Sequence, residues 1–260
     1  MVEHKGRILL AGETWFSYGI HQKGFSAYTT GAYDEGQTEL VRTLTDRGWT
    51  VDHIPNHLAT EQFPWTSDEL AQYDLIVLSD ISADTLQLHP DTFLRGQRRP
   101  DRLASIAGFV AAGGGFLMVG GYMSFSGFEG KARFHGTAIE EILPVRMLGF
   151  DDRVEAPQGV TPTPTAGVTS HPVLADLPAD WPHFLGYNRL VATAGDVLLN
   201  VGADPFLVVG QHGQGRTGAF ASDCSPHWGS PEFMAWAGYG LFWDALVSWL
   251  AGGKASQAPG

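Results

Sequence analysis

The chain alternates short, wholly apolar runs with longer stretches of helical spacing. RILLAGE (7–13), DLIVLSD (74–80) and GFLMVGG (115–121) are continuous apolar runs closed by glycine or an acid, the profile of strands buried on both faces. TVDHIPN (50–56) alternates and predicts a further strand. DEGQTELVRTLTDRGW sets Leu40, Val41 and Leu44 at helical spacing, with acids first and Arg47-Gly48 last, as helix ends prefer. SDELAQY predicts a short helix behind a serine cap, and RLASIAGFVAAGGG a helix ended by glycine. This order predicts parallel strands with right-handed crossovers and helices on both faces. Ligands in such sheets bind at the carboxyl ends of the strands, where Glu13, Asp80 and Tyr122 stand.

The remaining segments differ in texture. TWFSYGIHQKGFSAYTTGAY (14–33) lacks a clear period and predicts a long loop, the kind that often carries function. Its Glu13-proximal end holds Trp15, and His21 follows. The group suits a polar ligand such as a sugar or amide, or else a subunit contact. APQGVTPTPTAG reads as loop or edge structure, and DVLLNVGADPFLVVGQHGQGRTGAFASD as an antiparallel meander of three strands. SPEFMAWAGYGLFWDALVSWLAGG predicts one aromatic-rich helix. The simplest organisation is a single α/β domain over 1–253 and a disordered tail over 254–260.

Composition narrows the function classes. A net charge of −12 with scattered Lys and Arg argues against a nucleic-acid or anionic membrane partner. No run of 18 apolar residues is present and the N-terminus turns polar early, so a cytoplasmic location is expected. One cysteine, Cys224, excludes a CxxC metal site. Neither HExxH nor HxH occurs, and the glycine-rich pieces match no phosphate loop, so neither metal nor cofactor is expected. Eight tryptophans, several in the last helix, predict apolar surface shared with another subunit, hence a homo-oligomer.

The richest chemistry surrounds MVGGYMSFSGFEG (118–130) and SDCSPHWGSPEF (222–233). A strand, a tight glycine elbow, a helix, and much later a strand ending near a histidine is the order of the class I glutamine amidotransferase fold. With ILLAGETW, VDHIPNH, YDLIVLSDI, SHPVLADLP and GYNR, the chain resembles the glutamine amidotransferase-like bacterial family and, more distantly, ThuA-like proteins. The resemblance implies a three-layer α/β sandwich with a mostly parallel, flavodoxin-like sheet and a small antiparallel extension. It also implies an elbow at Gly120-Gly121-Tyr122-Met123-Ser124, where the family's G-x-C-x-G has its nucleophilic cysteine.

Tyr122 occupies the cysteine's place, and a phenol with an ordinary pKa near 10 forms no thioester, so conventional glutamine hydrolysis is not expected. Tyr122 either fills the cleft or serves as proton donor. Gly121 lets the backbone approach closely, and the Met123 amide can line an anion-binding corner. His227 matches the family's catalytic base, with Trp228 beside it. Glu232, five residues on, does not repeat the family's His-x-Glu spacing, which leaves Glu13, Asp80 or Asp223 as the partner carboxylate. Arg133 in GKARFHG suits an anionic group or a surface acid, and Cys224 reads as a buried, inert thiol. The expected function is hydrolysis or acid–base chemistry on a small polar metabolite. The other reading is a non-catalytic ligand-binding or assembly protein on the same scaffold.

Overall fold

The computed structural model describes residues 4–252, so the tail expected to be disordered lies outside them. Three apolar strands lie at its centre, β1 (Gly6–Gly12), β5 (Leu75–Ser79) and β6 (Gly115–Val119), and β4 (Trp49–Ile54) pairs with β1 at the edge. β2 (Thr14–Lys23) and β3 (Ser26–Glu35) lie between β1 and β4 in the chain but form a separate two-stranded sheet. Downstream come β7 (Val145–Arg146), β8 (Arg153–Val160), β9 (Thr163–Pro164), β10 (Phe184–Asn188) and β11 (Val191–Ala192). β12 (Asp196–Val201), β13 (Asp204–His212) and β14 (Gly215–Phe220) complete the strands.

Eight strands form the main sheet in the order β4-β1-β5-β6-β14-β13-β12-β9. The first five run parallel and the last three extend the sheet antiparallel. With the β2–β3 excursion set aside, the parallel part has the flavodoxin-like order 2-1-3-4-5, whose direction of winding reverses between β1 and β5. Such a reversal leaves a crevice beyond the strand ends. Helices Thr38–Thr45 and Tyr239–Ala251 pack on one face. Helices Asn56–Gln62, Ala83–Gln87 and Arg102–Ala111 group on the other, completing the three layers. β5 and β6 are buried throughout because both of their faces are covered, which is why they read as unbroken apolar runs.

Two predicted elements differ. The expected loop 14–33 is a hairpin whose strands pair without a register shift from Thr14↔Glu35 to Lys23↔Ser26. Its two-residue turn starts at Gly24 with φ +59°, the conformation a tight type II′ connection needs. The expected long C-terminal helix is two pieces, Pro231–Met234 and Tyr239–Ala251. A side chain at Gly238 would lie 2.4 Å from the Trp236 ring, so the chain turns where no side chain intervenes. The second piece buries Phe242, Trp243, Leu246 and Leu250 against the sheet. Its aromatic residues therefore serve the core.

The end of β6 is held from the side. A Cβ at Gly120 would stand 2.4 Å from the Ala221 carbonyl oxygen, so only glycine permits this approach. Buried Asn188, closing β10, accepts from the Gly121 amide at 3.0 Å and donates to Asp152 at 2.8 Å and to the Gly121 carbonyl at 3.2 Å. Asn188→Ala leaves the buried Gly121 amide without a partner, at about 1–3 kcal/mol, and takes one donor each from Asp152 and the Gly121 carbonyl, which keep backbone donors. Urea unfolding is expected to register a loss of roughly 2–4 kcal/mol, and a loss below about 1 kcal/mol would show that the elbow does not depend on this amide.

Candidate functional site

The site begins where β1 and β5 stop. Glu13 and Asp80, each one residue past a strand, take left-handed backbone conformations with φ +57° and +45°, which cost a non-glycine residue about 1–3 kcal/mol. Hydrogen bonds hold both turns. The Glu13 amide donates to the Ser79 carbonyl at 2.8 Å, and Gly36 donates to the Glu13 carbonyl at 2.9 Å. The Asn56 side chain donates to the carbonyls of Thr14 at 2.7 Å and Asp80 at 3.0 Å, tying the two strand ends together.

A cavity of about 410 Å³ opens at this edge, lined by Glu13, Trp15, Asp80, Tyr122, Asp223, Pro226 and His227. Its carboxyl groups govern its electrostatics. Burial, with added repulsion from Asp223 and Asp80, raises the Glu13 pKa well above the usual carboxylate range. The hydroxyls of Ser79 and Ser225 donate to its two oxygens, the latter at 2.7 Å. Asp223 is pushed up to about 7, first by burial and then by Asp80. Asp80 is raised by burial, against the opposing pull of the Met123 amide and His227. His227 Nδ1 lies 3.7 Å from Asp223 Oδ2, and the imidazole is half-exposed at the cavity wall.

Tyr122 packs its ring edge-on against His227, with centroids 4.4 Å apart. Its hydroxyl donates to Glu155 Oε1 at 2.7 Å, and the Trp228 indole donates to Glu155 Oε2 at 3.1 Å. The Arg153 guanidinium lies over the Tyr122 ring at 4.5 Å. Burial and the Glu155 carboxylate raise the phenol's pKa, so it stays protonated at neutral pH. Its proton is committed to Glu155.

The elbow departs from the pattern the resemblance implies. No helix follows it: residues 120–127 are loop and turn, and a single 3-10 turn spans Phe128–Gly130. The Met123 amide donates to Asp80 Oδ1 at 2.7 Å, so the expected anion-binding corner already holds an internal carboxylate. A Cβ at Gly121 would stand 2.8 Å from that same oxygen, which explains glycine there. The Gly121 amide itself is taken by Asn188.

Of the residues singled out in the sequence, Glu13, Trp15, Asp80, Tyr122 and His227 meet around the cavity. Trp228 sits buried behind Tyr122 and His227. His21 does not join them. It stacks on Tyr28 at 4.7 Å, out on the hairpin, because strand geometry carries it away from the body. Arg133 lies beside Asp84 at 3.6 Å and lines a separate cleft of about 270 Å³ with Gln87, Ser126 and His135. Glu232 faces His183 at 3.6 Å and not His227. Arg153 and Glu155 escaped sequence reasoning, since a Pro- and Thr-rich segment offers no local sign that β8 will flank the elbow.

Cys224 is buried 3.7 Å from the Ser79 hydroxyl, and burial with nearby carboxyl groups pushes its thiol far up. It is not a nucleophile poised as thiolate. Among the described residues, Glu13, Asp223 and Cys224 form the group whose ligand atoms approach within 4.8 Å of one another. Both Glu13 oxygens already accept from serine hydroxyls, and Asp223 Oδ1 accepts from the Ser225 amide.

Comparison with known proteins accords with this geometry. The profile of the family described as "Putative glutamine amidotransferase" matches residues 7–252. The Cytoplasmic Protein STM3548 from Salmonella typhimurium is 43% identical, with a TM-score of 0.89 over 94% of this chain and 98% of that one. The Cytoplasmic Protein STM1381 from Salmonella typhimurium LT2 is 44% identical, with a TM-score of 0.90 over 94% and 99%. A ThuA-like protein from Bacteroides uniformis is 13% identical, with a TM-score of 0.49 over 93% and 92%. No curated protein matches the sequence. The chain belongs to the glutamine amidotransferase-like family.

Proposed function

We propose that the chain is a cytoplasmic enzyme performing acid–base chemistry, hydrolysis in its simplest form, on a small polar metabolite and without a covalent cysteine intermediate. The observation that carries this reading is the His227–Asp223 pair, set beside Asp80 and Glu13 in one cavity at the sheet's switch point. Asp223 orients the imidazole, and His227 takes or returns a proton from the side open to the cavity. An aspartate titrating near neutrality suits proton exchange at physiological pH. The cavity wall holds three carboxyl groups and neither lysine nor arginine. A neutral or cationic metabolite, such as an amide, an amine or a polyol, fits that wall better than an anion. Trp15 and Tyr122 supply faces for its apolar part. The cytoplasmic location follows the two Salmonella relatives, both named cytoplasmic proteins.

A second reading, ligand binding without turnover, draws on a different observation. The elbow amide that would stabilise an oxyanion is filled by Asp80, and the helix that would assist it is absent. A screen of small amides, amines and polyols by thermal shift, followed by product analysis of the binders, separates the two. Binding with turnover supports the enzyme. Binding alone supports the second reading.

For an active substrate, His227→Ala is expected to lower kcat by about 10²–10⁴-fold. Tyr122→Phe, which removes one hydrogen bond to Glu155, should keep kcat within about tenfold. Full turnover in the His227 variant would remove it from the mechanism.

Stability should carry the mark of the buried acids. Between about pH 4, where an unfolded aspartate ionises, and about 7, the folded chain keeps a proton on Asp223 that the unfolded chain has released. Stability therefore falls as pH rises through this window and levels off above it. Glu13 acts with the same sign. In Tm measured against pH, Asp223→Asn should flatten the decline, whereas an unchanged slope would mean that Asp223 ionises normally in the fold.

A further inference from the structure

The hairpin β2–β3 is used by neither the core nor most of the cavity. Its strands are ten residues each and pair only with one another, so each presents a free outer edge. Isolated two-stranded hairpins are marginal in water and need a partner surface for stability. The root is supported, since Phe16 and Tyr33 pack on His57. Beyond it Tyr18 is 75% exposed, Ile20 80% and Phe25 fully exposed at the turn. Trp15, Phe16, Tyr28 and Tyr33 add further exposed aromatic surface. At 150–250 Å² for a whole aromatic side chain, the arm leaves on the order of 800 Å² of such residues in water. That is about what each partner contributes to a standard stable interface.

Exposed strand edges are normally guarded by charge, proline or a bulge. This arm carries such a guard only at its root, where Asp34 and Glu35 stand. From Thr14 to Tyr33 it contains no proline and a single formal charge, on Lys23, and its ladder runs without a bulge. The molecule as a whole carries a net charge of −12, nearly all of it outside the arm, and its body would repel a second copy. The arm is where two such chains can approach without bringing like charges together. Its pattern also fits a partner of the same kind, because an edge unguarded beyond its root is complementary to an antiparallel copy of itself.

We propose that this arm is the self-association element of the protein: it seats against the arm of a second copy, the two hairpins joining into an intermolecular sheet that buries Tyr18, Ile20 and Phe25. The proposal is independent of the catalytic reading, although Trp15 at the arm's root lines the cavity and places the contact next to it.

Light scattering coupled to size exclusion tests it at micromolar concentration. The wild-type chain should elute at a multiple of its 28.1 kDa mass. Tyr18→Lys with Ile20→Lys, which restores charge to the arm, should fall to the single-chain mass. A second variant guards against local misfolding. Phe16 and Tyr33 are direct cross-strand partners, so residues 17–32 can be replaced by an Asn-Gly turn that leaves the body intact. This variant should also run as a single chain with an unchanged circular dichroism melting profile for the body. A wild-type chain at single-chain mass overturns the proposal. So does a multimer whose mass survives both variants, since association would then reside elsewhere.

Discussion

Burying carboxyl groups is the constraint around which this molecule is arranged. Glu13, Asp80 and Asp223 come together at the end of a sheet whose strands are covered on both faces, and an unpaired carboxylate there would be prohibitively costly. The fold answers with protons and donors. Glu13 and Asp223 hold their protons to higher pH, the hydroxyls of Ser79 and Ser225 point at their oxygens, and the Met123 amide and His227 stabilise Asp80. The donors come from the segments at the ends of β5, β6 and β14 and Glu13 from the end of β1, so the acids act as the knot joining these four strand ends. Gly121 of the elbow is required for the same reason. A side chain at Gly121 would collide with the carboxylate that the elbow amide is holding.

The same arrangement occupies the backbone donors at the turn around Tyr122. In a working oxyanion hole a free backbone N–H waits for charge that appears only during reaction. Here the donor is permanently satisfied by Asp80, and Tyr122 turns its hydroxyl to Glu155. The turn is a structural joint. Chemistry, if centred on His227, must approach from the other wall of the cavity, where Asp223 lies behind the imidazole.

The parallel sheet was legible because strands buried on both faces cannot tolerate polar residues, and RILLAGE, DLIVLSD and GFLMVGG contain almost none before their ends. The meeting of Glu13, Asp80, Tyr122 and His227 followed from topology, since parallel strands bring their carboxyl ends to one edge. The hairpin was missed although Phe16, Tyr18 and Ile20 alternate with Ser17, Gly19 and His21. Apolar residues that face water look like disorder of pattern when a core is being sought. His21 was misplaced with it. Arg153 and Glu155 were beyond reach for another reason: they open β8, whose place beside the elbow is set by tertiary contacts to which local periodicity is blind.

The buried thiol carries a practical consequence. Electrophilic glutamine mimics mark glutaminases by alkylating an exposed, ionised elbow cysteine. Here the elbow offers a phenol whose proton is held, and the only sulfhydryl lies protonated beneath Ser79 and Glu13. A thiol-directed reagent at neutral pH therefore meets a buried, protonated group here.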